Sequence, residues 1–268
     1  LARALRSRAR PWHQKGWQFD GLVDPGPRGK AALATRVAAL AERGFAVTAL
    51  ERYAACPYRL YLATVVGLRQ RDFRAELEEL DPPTPGLLFH EVLRAAGSEL
   101  KRRDLLPLTE SSAAHAQRVL DEVFHEIAGR YRDELAPAID RVWNDAMAEV
   151  RADVRRWLAK LGNETAWTPE HFELGFGLKN ADSDPASQEE PVLLDFGLSL
   201  RGSIDAVERT ADQVRATDYK TGEPRRDGVV LDGGKFLQPV FYALALEKIF
   251  PHLSSAGGRA YYCTTRGR

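Results

Sequence analysis

The sequence has few of the features that are typical of secreted, membrane-spanning and polybasic proteins. Its only two cysteines, Cys56 and Cys263, lie far apart and have no metal-ligand spacing, which favours a reducing cytoplasm. Its longest apolar stretches, such as residues 241–246, fall far short of the roughly 20 residues that a membrane-spanning helix needs. The 38 acidic side chains equal the 38 basic ones, so any anion-binding surface must be local. We expect a cytoplasmic protein that does not associate with membranes.

What the sequence does contain is the composition of a folded domain. Apolar residues make up 44% of the 268 residues and charged residues 28%, close to globular averages of about 45–50% and about 25%. The length suffices for one large domain, or for a domain with a substantial helical insertion. Because the chain starts at Leu1 and stops directly after a strand-like run, we expect it to be a piece of a longer protein.

The N-terminal part has the pattern of a linker that leads into a domain. An arginine-rich run and a Pro/Gly segment occupy residues 1–31. Helical spacing of apolar residues then predicts a short helix over 32–43. We therefore assign residues 1–44 to a linker and a helix from a preceding region, and residues 45–268 to the main domain.

The first helix of the main domain has a predicted start and a predicted interruption. Thr48 and Glu51 form a T-x-x-E pattern, which predicts a capping box at the start of a helix over 49–63. Pro57 falls inside this segment and predicts a kink or a break, because proline removes a helical hydrogen bond.

Two regions with different hydrophobic periods follow. Helical spacing continues through about 86–161, where a largely apolar helix beginning at Gly86 precedes two amphipathic helices. From about 170 to 264 the period falls to two, which predicts three or four strands, one of them over 192–204. A helix over 236–250 and one more strand over 259–264 follow. This order predicts an α/β (α+β) fold with a mixed central β-sheet flanked by helices, and with an N-terminal or inserted helical block.

Three charged residues in the predicted strands are the first candidates for a functional site. Asp218 and Lys220 are two positions apart, so in a strand they project from the same face. An antiparallel neighbouring strand that ends in Asp205 would bring a second carboxylate beside them. Such oxygen ligands suit Mg²⁺ or Mn²⁺, and a lysine beside the metal ion can orient a water molecule. The alternative for Asp218 and Lys220 is a cross-strand ion pair on a solvated sheet face.

Five segments occur in an order that is more specific than any one of them alone. They begin at Thr48 (TALERYAACPYRLYL), Gly86 (GLLFHEVL), Gly202 (GSID), Asp218 (DYKTG) and Leu237 (LQPVFY). Over residues 48–264 this combination resembles the nuclease domain of the RecB/AddB/Cas4 branch of the PD-(D/E)xK superfamily. The resemblance implies a restriction-endonuclease-like core.

The resemblance also implies a metal site and a catalytic lysine. It assigns His90, from the helix, and Asp205 and Asp218, from the strands, as ligands of Mg²⁺ or Mn²⁺. The main-chain carbonyl of Tyr219 would complete the ligand set, and Lys220 would be the catalytic lysine. Taken without the resemblance, a histidine on a buried helix is more often a hydrogen-bonded core residue.

Three further residues have both a functional and a structural interpretation. Gln238 and Tyr242 lie four positions apart on one helical face, and the resemblance implies that they position the lysine, the water or the DNA backbone. Ordinary packing and capping is the alternative for both. Glu173 resembles the family's acidic residue on the first strand, and a solvent-facing glutamate is the alternative there.

Cys56 resembles the first ligand of the iron–sulfur cluster that some relatives in this branch contain. Four thiolates are needed for such a cluster, and Cys263 belongs to an apolar run rather than to a cluster-spaced group. A cluster is therefore expected only if a longer protein supplies further cysteines. The alternative for Cys56 is a small buried core residue.

The function implied by the resemblance is metal-dependent hydrolysis of DNA. We expect an exonuclease or end-processing domain of a helicase–nuclease that acts in DNA repair and recombination, leaving 5′-phosphate and 3′-hydroxyl ends. The expected partners are single-stranded DNA or duplex ends, and a helicase domain or subunit of the same complex. The alternative is a catalytically silent DNA-binding or scaffolding module of the same fold.

Overall fold

The structure is a computed structural model that describes residues 26–69, 83–179, 184–221 and 236–263. Its helices are α1 (Gly26–Arg43), α2 (Val47–Ala55), α3 (Pro57–Leu60), α4 (Pro83–Arg102), α5 (Glu110–Leu135), α6 (Asp140–Asn163) and α7 (Gln238–Ile249), with a π-helical turn at Tyr61–Val66. Its strands are β1 (Phe45–Ala46), β2 (Thr168–Phe176), β3 (Val192–Leu193), β4 (Ser199–Arg209), β5 (Gln213–Lys220) and β6 (Ser254–Tyr262). No described helix is long and apolar enough to cross a membrane.

The strands form one mixed sheet with β4 at its centre. Strands β2 and β3 pair antiparallel with β4, β5 pairs antiparallel with its other edge, and β6 pairs parallel with β5. The short β1 pairs parallel with the start of β4. The predicted fold class, a mixed sheet flanked by helices, is confirmed.

The predicted strand over 192–204 is wrong in one respect, because it is two strands. Between β3 and β4 the chain turns at Gly197, which has a φ of 81° that glycine adopts without steric cost. The turn closes with a hydrogen bond from the Leu194 amide to the Leu198 carbonyl. It lets β3 fold back antiparallel onto the start of β4.

The helical block, α4 to α6, packs together and against the sheet. Its core includes Phe89 of α4 and Trp157 of α6, both almost completely buried, and it extends to Phe172 of β2. Gly97 of α4 allows this close packing, since a Cβ there would lie 2.3 Å from the Phe172 ring. We call this set of residues the helical-block core. It fixes α4 above β2.

A second core lies between the sheet and α7. Leu246 of α7 packs there with Leu174 of β2 and Ile204 of β4, and we call this set the α7 core. Helix α7 approaches β6 closely, because a Cβ on Gly258 would lie 2.0 Å from the Pro239 carbonyl oxygen. The N-terminus of α7 is therefore held at the edge of the sheet.

The segment after α1 departs from the prediction at its start and follows it at its interruption. Helix α2 begins at Val47, and no side chain caps it, so the capping box predicted for Thr48 and Glu51 is wrong. The break predicted at Pro57 is confirmed, since α2 ends at Ala55 and Pro57 opens α3. The predicted short helix over 32–43 is present and begins earlier, at the start of α1.

Candidate active site

The candidate site forms where β2 and β4 both change which of their side chains face the helical-block core and which face the α7 core. Residues two apart share a face in a regular strand, yet Phe172 belongs to the helical-block core and Leu174 to the α7 core. Their partners on β4, Ala206 and Ile204, are divided in the same way. Between Phe172 and Leu174, Glu173 has a left-handed φ of 54°. Strain of this kind costs about 1–3 kcal/mol and concentrates at functional sites.

This irregularity aligns acidic residues from three strands. The β2–β4 pairs on either side of Glu173 place it opposite Asp205. The β4–β5 register, extended by one residue pair, places Asp205 opposite Asp218. The Asp205 Oδ2 atom accepts a hydrogen bond from the Tyr219 amide at 2.7 Å. The antiparallel approach expected from the sequence therefore occurs.

Helix α4 adds His90 to two of these acids. One donor atom from each of His90, Glu173 and Asp205 lies within 4.8 Å of the other two. His90 Nδ1 is 3.5 Å from Asp205 Oδ2, and the Ser203 hydroxyl donates a hydrogen bond to Glu173 Oε2 at 2.6 Å. This cluster combines an imidazole nitrogen with carboxylate oxygens. Such a donor set suits a divalent ion such as Mn²⁺ or Mg²⁺.

The proximity of these carboxylates makes the site electrostatically receptive to a cation. The pKa of Asp205 is raised well above its ordinary value, first by burial and then by the charges of Asp218 and Glu173. Burial also raises the pKa of Asp218, although the Lys220 ammonium opposes this shift. The pKa of His90 is lowered, chiefly by burial, which favours the neutral imidazole that binds metal ions.

The lysine occupies the neighbouring part of the site. Lys220 Nζ lies 2.6 Å from Asp218 Oδ2 and donates a hydrogen bond to Gln238 Oε1 at 2.8 Å. Gln238 Nε2 in turn donates to the Tyr242 hydroxyl at 3.5 Å. The buried carboxylate of Asp218 and the amide of Gln238 thus hold the ammonium group in place. Asp218 and Lys220 are paired, as their spacing predicts, but Asp218 is buried rather than on a solvated face.

The grouping of these residues differs from the one that the resemblance implies. In the described part of the chain, the three-residue donor cluster contains Glu173, while Asp218 is paired with Lys220. Glu173 is half-buried, and its side chain accepts a hydrogen bond from Ser203 beside Asp205. The main chain of Tyr219 lies beside Asp205, and its phenol is buried in the helical-block core.

Glu51 is a residue of this site that sequence reasoning assigned to another role. Its Oε1 atom accepts hydrogen bonds from the Leu237 amide at 2.8 Å and the Gln238 amide at 3.1 Å. These amides belong to the free N-terminus of α7, so Glu51 caps that helix instead of its own. The T-x-x-E pattern predicted a capping role for Glu51 on its own helix. No local signal in the sequence identifies a partner 186 positions away.

The two cysteines do not form a metal site together with this cluster. Cys56 is exposed, so the alternative of a small buried core residue is wrong. Cys263 is buried in the helical-block core, where burial raises the pKa of its thiol. Two cysteines cannot supply the four thiolates of an iron–sulfur cluster. Such a cluster would need cysteines from outside this sequence.

Comparison with known proteins identifies the superfamily of the chain. The family profile of the PD-(D/E)XK nuclease superfamily matches residues 44–268, and the chain belongs to that superfamily. Among curated proteins, the chain is similar to an ATP-dependent helicase/deoxyribonuclease subunit of Acetivibrio thermocellus, with 26% identity over 249 residues. It is also similar to proteins of the same name from Moorella thermoacetica, with 26% identity over 215 residues, and from Caldanaerobacter subterraneus, with 27% over 236 residues.

These relatives are much longer than the chain. The three alignments cover 87%, 75% and 81% of this chain, but only 19%, 16% and 19% of the relatives. The chain therefore spans less than a fifth of the length of the curated relatives that it matches.

Proposed function

We propose that the chain is a metal-dependent DNA nuclease domain that hydrolyses phosphodiester bonds at DNA ends. The observation that carries the proposal is the juxtaposition of two parts of one site. A histidine and two carboxylates lie together in a cluster, and beside them a lysine is held by a buried aspartate and a glutamine. The superfamily to which the chain belongs supports the reaction class.

The donor cluster fits a divalent metal ion by its own chemistry. His90, Glu173 and Asp205 would hold the ion, and Asp218 and the Tyr219 carbonyl are the further ligands that the resemblance implies. Crowded carboxylates whose pKa is raised gain most from a cation, because it removes their mutual repulsion. When bound, Mg²⁺ or Mn²⁺ would neutralise charge on the scissile phosphate and lower the pKa of a water molecule.

The chain's own residues then orient the reactants. Two N–H groups of the Lys220 ammonium are directed to Asp218 and Gln238, so the third can donate a hydrogen bond to the nucleophilic water or to a phosphoryl oxygen. Negative charge develops on the phosphoryl oxygens in the transition state, so a fixed ammonium stabilises the transition state more than the ground state. Tyr242 contributes through Gln238, whose amide it contacts.

The names of the relatives support a wider role. Those proteins are called subunits of an ATP-dependent helicase/deoxyribonuclease. We propose that this chain likewise acts with a helicase domain or subunit, in DNA repair and recombination. Strands opened by the helicase would supply single-stranded or duplex ends to the nuclease site.

Digestion of end-labelled linear DNA by the purified chain tests the proposal. Single-stranded and duplex substrates are incubated with Mg²⁺, with Mn²⁺ and with chelator. The same assay is run on Asp218→Asn and Lys220→Met. Lys248→Met is the matched control, because Lys248 lies on the exposed surface of α7, where it pairs with Asp195.

The proposal predicts metal-dependent cleavage that both site variants lose and that the Lys248 variant keeps. The products should carry 5′-phosphate ends. If the folded wild type binds Mn²⁺ and DNA and cuts neither substrate, the chain is instead the silent DNA-binding module. Cleavage that persists in chelator, or in the Lys220 variant, would contradict the mechanism.

A further inference from the structure

Strand β4 places another polar residue on the side of the candidate active site. Arg201 lies two positions before Ser203, so the two share a face, and Ser203 contacts Glu173. At about 3.3 Å per residue, Arg201 lies about 13 Å along β4 from Asp205. Gly177 follows β2 directly and lies beside Arg201, since a Cβ on Gly177 would be 2.6 Å from the Cβ of Arg201. The neighbouring strand therefore leaves room beside this arginine.

The end of helix α1 lies against the same residue. Strand β1 pairs with β4 so that Ala46 is the partner of Arg201. Gly44 packs against the β4 main chain, since a Cβ there would lie 3.2 Å from the Leu200 carbonyl carbon. Arg43, the last residue of α1, is thereby brought near Arg201. Burial, and then the charge of Arg43, lower the pKa of the Arg201 guanidinium.

In the part of the chain that the structure describes, Arg43 and Arg201 lack the acidic partners that two arginines of the sheet have. Arg215 and Arg259 each contact the buried carboxylate of Glu208. Within the described ranges, neither Arg43 nor Arg201 forms an ion pair with a carboxylate, and Arg201 Nε is buried without a hydrogen-bond partner. Two positive groups held close together without an acid form a site of positive potential. Such a site is stabilised by a bound anion.

A cavity that Arg43 lines extends this positive surface. It has a volume of about 330 Å³, lies between α1 and the π-helical turn, and is lined by Arg36, Arg43, Thr64 and Gly67. Arg36 is fixed there by donating a hydrogen bond to the Val65 carbonyl at 2.6 Å. Because Arg36 and Arg43 are seven residues apart, they lie on one face of α1.

We propose that Arg36, Arg43 and Arg201 bind the phosphodiester backbone of the DNA strand whose scissile bond lies at the His90 cluster. The guanidinium group matches the geometry and charge of a phosphate, and contacts to phosphate position a strand without reading its sequence. The distance from Arg201 to Asp205 places this contact a few nucleotides from the scissile bond. The inference rests on the proposed nuclease function and adds the path of the strand.

Binding of a fluorescein-labelled single DNA strand of 20 nucleotides tests the inference. Fluorescence anisotropy measures this binding in chelator over a range of salt concentrations. The proteins are the full chain and its Arg36→Gln, Arg43→Gln and Arg201→Gln variants. Arg141→Gln is the matched control, since the Arg141 side chain is 89% exposed and lies on α6. Circular dichroism establishes that each variant is folded, and Arg201→Lys retains the charge if Arg201→Gln does not fold.

Each of the three variants should bind about threefold to tenfold more weakly at low salt, and the control should match wild type. The slope of log K against log salt should also fall by about 0.7 for each arginine removed. The inference would be overturned if affinity and slope were unchanged in Arg43→Gln and also in either Arg36→Gln or a folded Arg201→Gln. This holds even if the chain cuts DNA. If the variants show these decreases in slope but the wild-type chain does not cut DNA, the binding site is retained and the nuclease function is rejected.

Discussion

Lys220 depends on two neighbours, and only one of them is charged. Asp218 balances its charge, while the Gln238 carbonyl oxygen fixes the direction of the ammonium group. We predict that Gln238→Leu lowers kcat for DNA cleavage about tenfold and leaves KM nearly unchanged, because misdirection affects mainly the transition state. Gln117→Leu removes a comparable bond to Asp121 in the helical block and is the control. Equal kcat values in the two variants would exclude a positioning role for Gln238.

Asp205 illustrates a conflict between stability and function. Its pKa is raised in the folded protein, so the folded state binds this proton more tightly than the unfolded state. The resulting stability is present below the unfolded pKa and is lost as the pH rises through the folded pKa. In chelator, wild type should therefore lose stability with rising pH through this group.

Asp205→Asn should remove that loss. It keeps an oxygen that can accept the Tyr219 hydrogen bond and eliminates the charge. We predict that in chelator at pH 8 this variant melts at a higher temperature than wild type, by about 2–4 °C for each kcal/mol of unfolding free energy gained. The variant should also lose DNA cleavage. Thermal melting at pH 4.5 and pH 8 checks this, since the gain should shrink at the lower pH. A variant that melts below wild type at pH 8 would contradict this prediction.

Among the elements, α7 is capped at its N-terminus by a residue that lies 186 positions earlier in the chain. Glu51 on α2 caps it, and α7 carries Gln238 to Lys220. We predict that Glu51→Ala lowers kcat about tenfold and destabilises the fold by about 1 kcal/mol, whereas Glu51→Gln, which keeps an acceptor oxygen, restores most of the activity. Steady-state kinetics of both variants provides the measurement.

Thr109→Ala is the matched control for this cap. Thr109 accepts a hydrogen bond from the Ser112 amide at the start of α5, away from the site. Its loss should cost similar stability without changing kcat. If Glu51→Ala retains full kcat while its melting temperature falls as in Thr109→Ala, the role of Glu51 is structural only.

The elements were predictable wherever the hydrophobic period was clear. The helical block, α7 and the alternating strands follow from that period. The break before Pro57 follows from proline chemistry. The split between β3 and β4 was not predictable from alternation, because it depends on a glycine turn at Gly197 within a segment whose apolar residues alternate as in one strand. The left-handed Glu173 was not predictable either, since its conformation is imposed by the two cores on either side of it.

For the molecule as a whole, the geometry of the candidate site depends on how the helical block lies on the sheet. At Gly97, helix α4 lies close against β2, because a Cβ there would meet the buried Phe172 ring. We predict that Gly97→Ala displaces α4 from β2, separates His90 from Glu173, destabilises the fold by about 1–3 kcal/mol and weakens Mn²⁺ binding. Chemical unfolding and calorimetric titration with Mn²⁺ measure the two effects.

Gly129→Ala provides the opposite expectation in the same helical block. No atom lies within 4 Å of a Cβ on Gly129, so alanine should stabilise α5 by about 0.5–1 kcal/mol. Mn²⁺ binding should not change. If Gly97→Ala behaves like Gly129→Ala, the packing of α4 on β2 does not determine the metal site.

The residues of the site could be named from the sequence more completely than they could be grouped. Motif order pointed to His90, Asp205, Asp218 and Lys220, and the structure brings them together. The pairing of Asp218 with Lys220, and the place of Glu173 beside Asp205, depend on strand register and on the change of face at Glu173. Neither is encoded by local periodicity.

The proposed mechanism depends above all on Glu173, His90 and Asp205 forming the metal-binding centre of a nuclease. Single-turnover cleavage of end-labelled linear DNA with Mn²⁺ tests this, with Glu173→Gln compared with Glu170→Gln. Both glutamates lie on β2, but Glu170 contacts Arg209 outside the cluster. We predict that Glu173→Gln cleaves about 100-fold or more slowly than wild type, and that Glu170→Gln cleaves at the wild-type rate. Equal cleavage rates in the two variants would contradict the assignment of this centre.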